Sequence, residues 1–110
     1  MSEGLTLDDL SVSLRALRLL AADFGHLPAP MVDVSTVYPD RLRLAFHYGL
    51  ADFEAWREAL GIAVDAVDHG TQGVGGRTRV LRVSVEYVGA LVDLVAYADM
   101  PDPAPSGAAA

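Results

Sequence analysis

The sequence predicts an α+β domain, a two-layer sandwich in which a mostly antiparallel five-stranded sheet carries two helices on one face, in the order αββαβββ. Two segments repeat apolar residues at three- and four-residue steps, the period of a helix with one buried face. Five segments alternate or are rich in β-branched residues, and most are joined by turn signals short enough for hairpins. With 110 residues the chain has room for one core. Residues 1–100 are expected to form this single domain, and 101–110, MPDPAPSGAAA after its first residue, a disordered Pro/Ala tail.

Thr6 and Asp9 make a capping-box-like pair that starts the first helix near Leu7. Leu7, Leu10, Leu14, Leu17, Ala21 and Phe24 supply its stripe, and Gly25 stops it. After the breaker HLPAP, the segment MVDVSTVY reads as a strand, Pro39-Asp40 as the centre of a turn, and RLRLAFHY as the return strand. In that strand Leu42, Leu44, Phe46 and Tyr48 share one side, with Arg41, Arg43, Ala45 and His47 on the other.

Asp52 is the expected N-cap of the second helix, whose stripe is Phe53, Trp56 and Leu60; Gly61 ends it and Ile62 provides the apolar contact of a Schellman-type cap. Trp56, on a stripe with Phe53 and Leu60, reads as core rather than as a stacking platform. A short strand from about Ile62 to His69 enters the loop GTQGVGG, and the long strand RTRVLRVSVEYV leaves it. Gly89-Ala90 suits a type II′ hairpin turn into the last strand. In that register Leu81, Val83, Val85 and Tyr87 face Ala98, Ala96, Leu94 and Val92, while Glu86 opposes Asp93 on the reverse face, where solvent and a neighbouring arginine such as Arg82, Arg41 or Arg43 should offset the two carboxylates.

Composition removes several classes of function. The absence of cysteine closes off disulfides, thiolate nucleophiles and thiolate metal sites. A formal charge of −7 argues against gripping a nucleic-acid backbone, which needs clustered cations to neutralise phosphates. It favours a basic partner instead. The acidic N-terminus lacks the positive charge of a signal peptide, and no apolar run reaches membrane-spanning length, so a cytoplasmic location is expected.

The loop Gly70–Gly76 resembles a phosphate-binding glycine loop only superficially. Such loops open a helix whose N-terminus completes the anion site, whereas a strand follows here, and the P-loop lysine has no counterpart in a chain without lysine. His26, His47 and His69 fall in different elements and lack metal-ligand spacing; no serine sits in an elbow motif. No catalytic residue, metal site or cofactor is expected. Stretches such as YPDRLRLAFH and DFEAWREALG are similar to those of small proteins of high-GC bacteria, some coded near mobile elements. The similarity spans residues 5 to 98 and implies no activity and no site.

The functional expectation is a non-enzymatic interaction module, such as an adaptor, inhibitor or regulatory subunit, binding a protein partner or a second copy through the sheet face away from the helices. Arg82, Val88, Leu91, Val95 and Tyr97 are the candidate contact residues, because apolar side chains there interrupt a face that should otherwise be polar, and Arg and aromatic residues dominate interface energetics. A second reading is a ligand-binding domain or enzyme using Glu86, Asp93, His47 or His69 with the glycine loop. A third is an acidic mimic of nucleic acid.

Overall fold

The structure, a computed structural model, describes residues 5–47 and 49–99; the expected tail over 101–110 and the candidate core residue Tyr48 lie outside these. The chain is α+β, with two helices and a five-stranded sheet. A 3₁₀ turn over Leu7–Leu10 leads into helix α1, Ser11–Asp23. The backbone N–H of Thr6 donates to the Asp9 carboxylate at 2.8 Å, so the pair read from sequence caps the 3₁₀ turn, and the α-helix begins one turn later.

The buried positions of α1 are Ser13, Ala16 and Leu20, with Leu17 and Phe24 packed beside them. The core-facing stripe is therefore offset by about one residue from the leucine-rich one expected, and Leu7 is exposed. A hydrogen bond accounts for the buried serine: Ser13 Oγ donates to the Pro39 carbonyl at 2.6 Å, binding the helix to the first hairpin turn.

Strands β1, Met31–Val34, and β2, Arg41–Phe46, form that hairpin. Its turn closes through Arg41 N–H donating to Tyr38 O at 3.0 Å, with Pro39-Asp40 at the centre as the sequence indicated. Helix α2, Leu50–Ala59, starts two residues before the expected cap: Gly49 is the N-cap and Asp52 lies in the first turn, where a carboxylate favours the helix dipole. Its end matches expectation. Gly61, at φ 71°, donates to Glu58 O and Ile62 donates to Arg57 O, both at 3.0 Å, the pair of bonds that defines a Schellman cap.

A 3₁₀ turn over Val64–Ala66 occupies part of the stretch expected as strand, and strand β3 is Asp68–Gln72, running through Gly70. A second 3₁₀ turn over Val74–Gly76 joins it to β4, Thr78–Tyr87, and β5, Ala90–Asp99, follows. The sheet order is β1-β2-β5-β4-β3. The sheet is mixed, which corrects the mostly antiparallel arrangement expected from connectivity, because β2 runs parallel to β5. After β2 the chain passes through α2 to the far edge, and the β4–β5 hairpin returns to fill the gap. β5 takes the centre because its run ALVDLVAYAD is apolar on both faces.

The β4–β5 register also differs from expectation, by two residues. Tyr87 pairs with Ala90, so the turn residues are Val88 and Gly89, at φ 44° and 87°, the two left-handed positions of a type I′ turn. A two-residue shift keeps every side chain on its face, so Leu81, Val83 and Val85 still meet apolar partners: Ala96, Leu94 and Val92. It removes the carboxylate opposition, since Glu86 now faces Leu91 and Asp93 faces Ser84.

Both helices contact β2 and β5. One core cluster joins Ala16 and Leu20 of α1, Phe53 and Trp56 of α2, Leu42, Leu44 and Phe46 of β2, and Val92, Leu94 and Ala96 of β5. Trp56 is buried, as expected. Its Nε1–H donates to Pro28 O at 2.7 Å, and its ring lies 6.4 Å from both Phe24 and Phe46. Among the described residues no helix is long and apolar enough to cross a membrane.

Candidate interaction face

The residues of β2, β4 and β5 that alternate with the core positions define a second sheet face. Register places Arg43, Asp93 and Ser84 side by side across β2, β5 and β4, and Ala45, Val95 and Arg82 in the next row. Arg41 and Leu91 lie one row the other way, beside Glu86. β5 is central, and its residues on this face are buried: Asp93 is 7% and Val95 3% exposed. They form the floor of a depression of about 370 Å³ whose sides include Arg41, Arg43, Arg82 and Ser84.

Asp93 is a buried carboxylate with its oxygens occupied. Ser84 Oγ donates to one, and Arg41 Nε lies 3.4 Å from the other. Such pairing is what allows a carboxylate to remain in a partly dry floor. Arg41 also lies over the Tyr38 ring, its guanidinium carbon 5.3 Å from the centroid. At the opposite end of the face, His47 stacks on Tyr97 with centroids 4.9 Å apart and planes 11° from parallel.

Arg41 links this depression to two others. One, of about 430 Å³, runs from Tyr38 past Glu86 to Leu91 and Gly89; the other, of about 280 Å³, lies between Asp33, Ser35 and Arg43. Val37 and Tyr38 stand at their edge, 73% and 60% exposed. They are held there because the turn behind them is fastened twice, by Ser13 to Pro39 O and by Leu91 N–H to Asp40 O at 2.9 Å.

The five contact residues expected from sequence divide accordingly. Arg82 is exposed at the side of the depression, whereas Tyr97 does not line it and is half-buried in its stack with His47. Leu91 is half-buried in the adjoining depression. Val95 belongs to the floor and projects little to solvent, and Val88 is in the hairpin turn, not on a strand. Sequence reasoning passed over Val37 and Tyr38, and gave Arg41 and Arg43 only as possible offsets for the carboxylates of this face, not as contact residues. The alternation of RLRLAFH already put both arginines on this face, and the Arg41–Asp93 ion pair bears out the expectation that one of them offsets that carboxylate; the parallel pairing of β2 with β5 that brings them together was not expected.

The residues of the enzymatic reading are not brought together. Glu86 and Asp93 line different depressions, His69 is exposed on β3, His47 stacks on Tyr97, and among the described residues no group of three His, Asp or Glu could hold a metal ion. Gly73, Gly75 and Gly76 all have positive φ, and their loop turns the chain from β3 into β4, with no helix N-terminus behind it. No protein-family model, curated protein or solved structure matches the chain.

Proposed function

We propose that the chain is a non-enzymatic protein-interaction module, a two-layer domain whose helices cover one sheet face and whose second face binds a protein partner. The observation that carries this reading is the set of contact-prone side chains in the linked depressions: Arg41, Arg43 and Arg82, with Tyr38 and Leu91, and an exposed Val37. Arginine and tyrosine are the residues enriched at interface hot spots, because each offers a large, partly apolar contact area with directed donors. Asp93, a buried carboxylate of this face, is already committed to Ser84 and Arg41.

The test is affinity capture from the source cell with wild-type protein and with Arg82→Glu/Tyr97→Ala. Both residues lie outside the core cluster, so the variant should keep the wild-type circular-dichroism spectrum and melting temperature. A partner retained by wild type and lost by this variant is the expected result. A partner retained equally by both, or lost only when the core is damaged, places binding elsewhere.

A further inference from the structure

From the placement of the arginines we infer that the partner presents carboxylates, as an extended acidic segment laid along the β5 groove. This rests on the interaction reading above and deepens it. The whole-chain charge of −7 points the other way, to a basic partner. Exposed charges more than about 8–10 Å apart are largely screened at physiological salt, however, so the groups lining the groove decide what enters it. Three of the eight cationic side chains line this one depression, against two carboxylates, Asp68 and Asp93.

The local carboxylates do not use up that charge. Asp93 is on the floor, committed to Arg41 and Ser84. Asp33 is paired with Arg43 across β1 and β2, and Asp68 with Arg82 across β3 and β4. Yet among the described residues no ion pair holds the Arg43 or Arg82 guanidinium. Two cations therefore flank a floor of Val95 and buried Asp93 with their donors unspent.

Their geometry suits an extended chain. Arg43 and Arg82 are two strands apart and offset by one row of two residues. From ordinary strand spacing this puts their Cα atoms about 12 Å apart. Guanidinium groups leaning in from both sides can meet carboxylates on alternate residues of a strand-like segment, each through a planar two-donor fork that lysine lacks. The apolar ends of the site, Leu91 and Tyr97, would contact intervening apolar residues. An acidic–apolar alternating peptide is the partner chemistry that fits.

Two fluorescein-labelled octapeptides, alternating Glu-Val and alternating Lys-Val, test this by fluorescence polarisation at low and high salt. The Glu-Val peptide is expected to bind, to weaken with salt, and to lose roughly tenfold or more in affinity to Arg43→Gln/Arg82→Gln, the loss of charge-assisted hydrogen bonds. The Lys-Val peptide should not bind. Failure of the Glu-Val peptide to bind, or equal binding by the glutamine variant, overturns the inference. If partner capture survives the glutamine variant but is lost in Tyr97→Ala, the interaction reading stands and the acidic-partner inference falls. Capture indifferent to both variants removes both.

Discussion

Replacing Val88 by asparagine should stabilise the protein, although it swaps an apolar residue for a polar one. Val88 has φ 44° in the β4–β5 turn, a left-handed conformation that costs a residue with a side chain about 1–2 kcal/mol and is least tolerated by β-branched ones. Asparagine accepts that region far better, and Asn-Gly is the preferred pair of a type I′ turn. The offset is lost burial. Val88 is 44% exposed, so somewhat more than half of a valine's burial worth is at stake, roughly 0.8 kcal/mol, part of which asparagine retains. The net expectation is a gain of about 0.5–1 kcal/mol, or roughly 2–6 °C in melting temperature for a domain of this size. Urea denaturation should show a higher midpoint with an unchanged slope. A loss of stability would refute the reasoning and restore the alternative register, with Gly89-Ala90 in the turn and Val88 on the strand opposite Leu91, where asparagine is a poor strand residue.

Trp56→Phe should cost about 1–3 kcal/mol, because the Pro28 carbonyl loses its 2.7 Å donor, and Trp56→Ala about 3–5 kcal/mol from the added cavity; matched thermal melts distinguish the two. Tyr87 has its pKa raised above the usual 10.0, first because burial disfavours the phenolate and then through its hydrogen bond to Asp23 at 3.1 Å. Its contribution to stability is present below pH about 10 and is lost as pH rises through the higher folded-state value. Tyrosinate absorbance should therefore show a late-titrating tyrosine that Tyr87→Phe removes, and an unaltered titration would mean that the Asp23 contact does not form.

The elements were largely readable because their signals are local. The alternation of RLRLAF, the Phe53–Trp56–Leu60 stripe and the Gly61-Ile62 cap each arise within a few residues, and each is found where the pattern puts it. What failed depends on distant partners. The α1 stripe rotated because Ser13 finds an acceptor at Pro39, a contact no helical period reveals. The parallel β2–β5 pair was missed because sequential strands were taken as neighbours, although the apolar run ALVDLVAYAD was itself a sign of a central strand. The hairpin register slipped by two because Gly89 suits the second place of one turn type as well as the first of another, and both registers leave the apolar face intact. The candidate site suffered most. Its arginines and Asp93 come from strands that meet only through the parallel pairing.

The position of β5 has a consequence for how the protein is made. The strand that sits between β2 and β4 is the last of the five to leave the ribosome. Until it emerges, the first hairpin and the β3–β4 pair have no strand between them, and each presents an unpaired edge to solvent or to another nascent chain. Folding thus awaits a late, sequence-distant insertion, which slows it and favours post-translational closure over stepwise assembly. A chain interrupted before Ala90 would retain both helices and four strands yet lack the piece that joins them, so translational stalling in that interval should generate aggregation-prone fragments for chaperones and proteases to clear.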